Sequence, residues 1–186
     1  MSYTQISIKK DAQFSYQKDL KYNEQAAARG DIKAINHLGC LYQSDKEVEQ
    51  DYNKSREYFE KGAELGDSDS LKNLGKIYLQ GNGVQKNYTK AIEYFEQSAA
   101  LGNVFSLKML GSFYAEGKYV KQNYEKARQC FEKVVASGDT SVFFNLGLFY
   151  EKGLGIKQDC NKAIEYYEQA ASLGHLDALF NLEYFY

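Results

Sequence analysis

The chain has few reactive side chains, and their spacing decides what chemistry is open to them. His37 and Cys40 lie one helical turn apart, and on one helix face they would present two metal ligands. No second pair with matching spacing accompanies them, so no metal is expected. Ser15-Tyr16-Gln17-Lys18 has the Ser-x-x-Lys shape of a β-lactamase nucleophile. Its counterparts along the chain are Asp51-x-x-Lys54 and Asn87-x-x-Lys90, and Asp, Asn and Ser share a different role, that of helix N-cap. Gly81-Asn82-Gly83 looks like a phosphate-binding loop, but the Gly-Lys-Ser/Thr that such a loop requires does not follow. With 2 His in the whole chain, no Asp-His-Ser constellation can be placed. The 3 cysteines form no disulfide framework. Cys130 and Cys160 stand where equivalent positions are aromatic, and they are expected to be buried or half-buried thiols. No catalytic residue and no cofactor is assigned, and the chain is read as a non-enzyme.

Composition narrows the remaining classes. The 186 residues hold 23 basic and 25 acidic side chains, a net charge of -2, with no long run of either sign. A nucleic-acid reader would show a basic stripe, so no nucleic-acid partner is expected. Apolar runs are too short to cross a bilayer, and the first ten residues lack the apolar segment of a secretory signal. The expected setting is cytoplasmic, without membrane insertion. Hydrophobic residues make up 44% and charged residues 26%, which disfavours disorder. The odd feature is 15 Gly beside no Pro.

Self-comparison explains it. Gly30, Gly66, Gly102, Gly138 and Gly174 recur every 36 residues, as do Leu38-Gly39, Leu74-Gly75, Leu110-Gly111 and Leu146-Gly147. Tyr42, Tyr78, Tyr114, Tyr150 and Tyr186 form a third column, and Lys18, Lys54, Lys90, Lys126 and Lys162 a fourth. Each unit reads as two helices. In the first, A, Leu71, Leu74 and Tyr78 give an apolar stripe at helical spacing; in the second, B, Ala91, Tyr94 or Phe95 and Ala99 do the same. Asp51, Asn87, Asn123 and Asp159 precede B as N-caps, and the glycine after B suits a left-handed C-cap. A glycine inside helix A should cost about 1 kcal/mol against Ala. Its recurrence predicts a close approach by helix B of the same repeat. The A–B loops Gly81-Asn82-Gly83-Val84 and Gly153-Leu154-Gly155-Ile156 place glycines where positive φ is needed and tuck Val or Ile under the turn. Neither helix can bury its stripe alone, so the units must stack.

The pattern Leu-Gly-x-x-Tyr, Gly-x-Gly-Val, Asn/Asp-Tyr-x-Lys-Ala, Tyr-Phe, Ala, Gly resembles the Sel-one-like repeat (SLR), a relative of the tetratricopeptide repeat (TPR), over about nine-tenths of the chain. The resemblance implies an all-α fold: a right-handed, TPR-like α-solenoid superhelix of 36-residue helix-turn-helix repeats, used as an adaptor or scaffold in protein complexes. The expected organisation is a lead-in over 1–12 and an array over 13–186. The array comprises a leading B helix (14–30), repeats 31–66, 67–102, 103–138 and 139–174, and a trailing A helix (175–186). The chain departs from the pattern at Asp45 and Glu47 in the first loop, at Tyr119 for the second glycine of the third, and at Cys130 for Tyr. The leading B helix carries Asn23 where later units have Phe59, Phe95, Phe131 and Tyr167, and the trailing A helix carries Glu183 in place of glycine; both suit helices without an in-repeat partner.

In such an array the candidate site is the concave face lined by A helices, at columns the architecture does not dictate. One holds Asn36, Lys72, Lys108, Phe144 and Phe180; the next holds Cys40, Lys76, Ser112, Leu148 and Tyr184. Lys72, Lys76 and Lys108 would meet an acidic partner segment, and Phe144, Leu148, Phe180 and Tyr184 would hold apolar anchors. The competing reading is that Phe144 and Phe180 pack between adjacent A helices; both stand at this point. The tetratricopeptide carboxylate clamp needs an Asn after Leu-Gly, and Cys40, Lys76, Ser112 and Leu148 do not supply it. Asn73, Asn145 and Asn181 suggest an inter-repeat hydrogen bond, and the lysine column a solvated face. The expected function is a non-catalytic scaffold that binds a protein or peptide. Two alternatives remain: a self-assembling module stacked through Tyr184-Phe185-Tyr186, and a hydrolase of the cysteine-rich repeat type, which needs paired cysteines that are absent here.

Overall fold

The computed structural model describes residues 18–44 and 48–185, and these contain helices and no strand. A B-type helix α1 covers 18–28. It is followed by α2 (Ile32–Gln43), α3 (Tyr52–Glu64), α4 (Ser68–Gln80), α5 (Tyr88–Ala100), α6 (Val104–Glu116), α7 (Tyr124–Glu132), α8 (Thr140–Lys152), α9 (Cys160–Ser172) and α10 (Leu176–Glu183). The chain divides into two compact units, Met1–Tyr94 and Phe95–Tyr186. The lead-in, Ser15 and Tyr186 lie outside the described residues.

Side chains start the helices as the sequence predicts. The Asp51, Asn87, Asn123 and Asp159 carboxylate or amide oxygens accept from the backbone N–H of Lys54, Lys90, Lys126 and Lys162 at 2.9–3.1 Å. Asp31, Asp67, Asn103 and Asp139 cap α2, α4, α6 and α8 in the same way. This second set had an equally regular signal, a polar residue directly after the C-cap glycine. Gly30, Gly66, Gly102, Gly138 and Gly174 take the left-handed conformation at φ +68° to +89°. Four of these five ends also close with a bond from the residue after the glycine back to the helix, such as Asp67 N–H to the Gly62 carbonyl at 3.0 Å.

The glycine inside helix A has the predicted cause. A Cβ on Gly39 would stand 2.5 Å from the Phe59 ring, one on Gly111 2.7 Å from Phe131, and one on Gly147 2.5 Å from Tyr167, each ring on the B helix of the same repeat. Phe59, Phe131 and Tyr167 are fully buried there or nearly so. Gly62, which stands in no glycine column, also has a contact of its own. Its Cβ would collide with the Ser70 hydroxyl on the next A helix, so small residues let neighbouring helices cross closely. Ser98 and Ser106 share a hydrogen bond at the equivalent crossing, and Ala170 and Ala178 fill the last.

At the third crossing both residues are valines, Val134 and Val142, and both are buried. There α7 stops at Glu132 and its tail winds into a 3-10 turn, Val135–Ser137. The adjacent β-branched Val134 and Val135 lower helix propensity there, which favours the tighter 3-10 turn.

The helical glycine generates the first prediction. Gly111→Ala gains helix propensity of about 1 kcal/mol yet forces the Phe131 ring aside, an overpacking cost of about 1–3 kcal/mol. A lower denaturation midpoint by circular dichroism is the expected outcome; an unchanged or raised midpoint would show that the ring yields freely.

Candidate partner-binding face

The first variable column of the A helices carries an inter-repeat joint. Three of its side chains, Asn36, Lys108 and Phe144, reach the N-cap residue of the next A helix, thirty-one positions on. Asn36 donates to the Asp67 carboxylate at 2.7 Å and accepts from the Ser70 hydroxyl at 2.9 Å. The Lys108 ammonium pairs with the Asp139 carboxylate. Phe144 stacks on the His175 imidazole with ring centroids 4.4 Å apart and packs on Tyr167. The contacts are chemically matched: an amide or ammonium faces an Asp carboxylate, and a ring faces a ring. Burial alone would raise the Asp139 carboxyl, but hydrogen bonds from Lys108 and Ser141 outweigh it and hold it below the usual carboxylate range.

The remaining candidates sit in different surroundings. Lys72 pairs within its own helix with Asp69 at 2.7 Å. Lys76 is half-buried. Leu148 is half-buried against the core of the second unit. Phe180 and Tyr184 project from α10, 60% and 83% exposed, and touch edge to face at 5.8 Å. The structure therefore gathers Lys108, Phe144, Leu148, Phe180 and Tyr184 on the A helices of the second unit and Lys72 with Lys76 on α4 of the first.

Two columns behave differently from their sequence reading. The Lys54, Lys90, Lys126 and Lys162 ammonium groups lie over the rings of Tyr42, Tyr78, Tyr114 and Tyr150, 4.2–5.1 Å from the centroids, so the ladder, exposed at Lys54, Lys126 and Lys162, also makes a set of cation–π contacts. In three repeats the A-helix tyrosine also stacks on a B-helix tyrosine, as in Tyr42–Tyr58 at 5.9 Å. Cys130 removes that partner in the third. Tyr114 there donates to Glu96 at 2.8 Å, and burial with this carboxylate pushes its hydroxyl up to about 12. Cys130 is half-buried as expected, whereas Cys160 is exposed because it opens α9 at the first helical position, on the solvent side. Asn145 donates to the Ser141 carbonyl of its own helix, not across a joint, while Asn181 does bond across, to Tyr167. Among the described residues no group of three His, Cys, Asp or Glu side chains could hold a metal ion, and no helix is long and apolar enough to cross a membrane.

The repeat itself is shared with known proteins. The model of the Sel1 repeat matches residues 32–67, 68–103, 105–139 and 144–175. The chain belongs to the Sel1 repeat family. Among solved structures, it is similar to c5321, a protective antigen of uropathogenic Escherichia coli displaying an SLR fold. That match has 30% identity and a TM-score of 0.81, and it covers 88% of this chain and 35% of that one. A Sel1 repeat protein of Oxalobacter formigenes is 32% identical at a TM-score of 0.74, with 88% and 66% covered. An immunity protein of Pseudomonas aeruginosa, Pa5087, is 25% identical at 0.54, with 88% and 60% covered. The chain thus spans between a third and two thirds of the length of these structures. No curated protein matches it. The fold is that of the Sel1-repeat solenoids, a TPR-like class whose members are commonly protein-interaction modules and generally non-catalytic.

The joint yields two predictions. Phe144→Ala removes a ring seated between His175 and Tyr167 and should cost about 2–4 kcal/mol, whereas Phe180→Ala, on an exposed surface, should stay within about 0.5 kcal/mol; urea unfolding of the two variants compares them directly. The Lys108–Asp139 pair stabilises the fold above the unfolded carboxyl pKa and is lost as pH falls through the lowered folded value. Lys108→Met should therefore be less stable than the parent near neutral pH and should approach it in acid, below the carboxylate range. An equal deficit at both pH values would assign the loss to packing.

Proposed function

We propose that the chain is a non-catalytic scaffold that binds a protein or peptide segment on the face lined by its A helices. The observation that carries this reading is the pair Phe180 and Tyr184, two aromatic side chains in mutual contact and largely exposed on α10. Aromatic rings on a rigid helix offer large contact area at little entropic cost, which suits them to anchor a partner. Leu148 and the outer edge of Phe144 extend the apolar strip within the second unit. Lys108 places a cation beside it, already paired with Asp139, so an acidic partner residue would share or replace that carboxylate. On the first unit, Lys72 and Lys76 offer a second, basic contact area. The family's common use as an interaction module supports the same reading.

The partner segment this face suits combines one or two apolar anchors with nearby carboxylates. Selection of peptides from a random library on the immobilised chain should return such sequences. Phe180→Ala with Tyr184→Ala should weaken their binding at least tenfold while circular dichroism stays unchanged, and Lys21→Ala on α1 should have no effect. Peptides that bind the double variant as well as the parent would move the site elsewhere.

A further inference from the structure

Leu179 and Glu183 mark a different face of α10 from Phe180 and Tyr184. In every internal repeat the equivalents of Leu179, namely Ile35, Leu71, Leu107 and Phe143, are buried. Phe143 packs on Tyr166 of its own B helix, and Ile35 lies beside Gly62 of its own. Leu179 is 48% exposed, because among the described residues no B helix covers it. At the other end, α1 is a B-type helix with no A helix before it among the described residues. Its Tyr22 occupies the column of Tyr58, Tyr94 and Tyr166, which stack on A-helix tyrosines, yet Tyr22 is 72% exposed.

We infer that α10 of one copy accepts α1 of a second copy, a head-to-tail contact that reproduces the A–B pairing inside each repeat. The central pair argues for this occupant. Inside the repeats a B-helix ring (Phe59, Phe131 or Tyr167) fills the space left by an A-helix glycine, and even a single Cβ there would collide. Glu183 occupies that glycine position, so α10 rejects any B helix with a ring at the centre. Among the B-type helices of this chain, α1 alone lacks that ring and carries Asn23 instead. An Asn amide can donate to the Glu183 carboxylate, so both end substitutions, which break the internal rule separately, satisfy each other when the two ends meet. Asn23 spends one donor on the Asp19 carbonyl at 2.9 Å, and its second amide hydrogen is left for the carboxylate. Tyr22 would then cover the apolar surface around Leu179. The contact is heterologous, so it lengthens into chains of copies unless the rotation closes a ring.

Sedimentation velocity of the full chain, from micromolar to near-millimolar concentration, tests the pairing. The parent should gain mass with concentration. Asn23→Phe should remain a monomer where the parent is at least half assembled, because the ring meets Glu183. Asn23→Phe combined with Glu183→Gly recreates the internal ring-on-glycine pair and should assemble again, with all three proteins equally helical by circular dichroism. A parent that stays monomeric overturns the inference. So does an Asn23→Phe variant that assembles like the parent, which would show α10 pairing with itself, or a folded double variant that fails to recover. Peptide binding by the Phe180–Tyr184 face does not enter these readouts.

Discussion

The packing of three of the repeats depends on one contact, an aromatic ring of helix B pressed against the bare backbone of a glycine in helix A. Phe59 on Gly39, Phe131 on Gly111 and Tyr167 on Gly147 bring the two helices closer than any side chain at that point would allow. The local cost in helix propensity is about 1 kcal/mol per glycine, offset by burial of a whole ring, which contributes roughly 1.5–3 kcal/mol. Once the axes are this close, the rest of the repeat has little freedom. The A-helix tyrosine must meet the B-helix tyrosine and lysine, and the loop between the helices must turn within a few residues, with glycines at positive φ.

The next level of organisation is the joint between successive repeats, which is built from small or matched residues. Gly62 against Ser70, Ser98 against Ser106 and Ala170 against Ala178 let consecutive helices cross closely. Where Val134 and Val142 replace them, α7 stops at Glu132 and a 3-10 turn follows. At three of the joints an A-helix side chain also links to the N-cap residue of the following A helix. Asp67 and Asp139 already accept a backbone N–H, so a side chain that reaches either ties the start of one helix to the middle of its neighbour. This arrangement places Lys108 and Phe144 in structural contacts and leaves Phe180 and Tyr184 as the open part of the same face.

Such division of labour within one column is hard to see in a sequence. Asn36, Lys72, Lys108, Phe144 and Phe180 look variable because their types differ, and variability suggests a surface chosen for a partner. The structure shows that Asn36, Lys108 and Phe144 are matched to contact partners, Asp67, Asp139 and His175. The partners stand thirty-one positions apart in the sequence, and the spacing acquires meaning only when the A helices are seen side by side. The lysine column is similar. Its regularity was legible, while its role over the tyrosine rings required the relative placement of two helices.

Period and chemistry alone determined the helical repeat, its register, the B-helix caps, the left-handed glycines and the close A–B approach. Each of these is a local consequence of residue type: a short polar side chain before a helix, a missing Cβ after one or inside one. The tertiary structure decided which exposed-looking residues are engaged, because engagement depends on atoms far apart in the chain. It moved Phe144 and Lys108 into joints, left Cys160 exposed at a helix start, shortened α7, and separated the two faces of α10 into one with a contacting aromatic pair and one shaped like an uncovered A helix. Distance along the chain says little about such contacts, since the energy that sets them is released only when the helices pack.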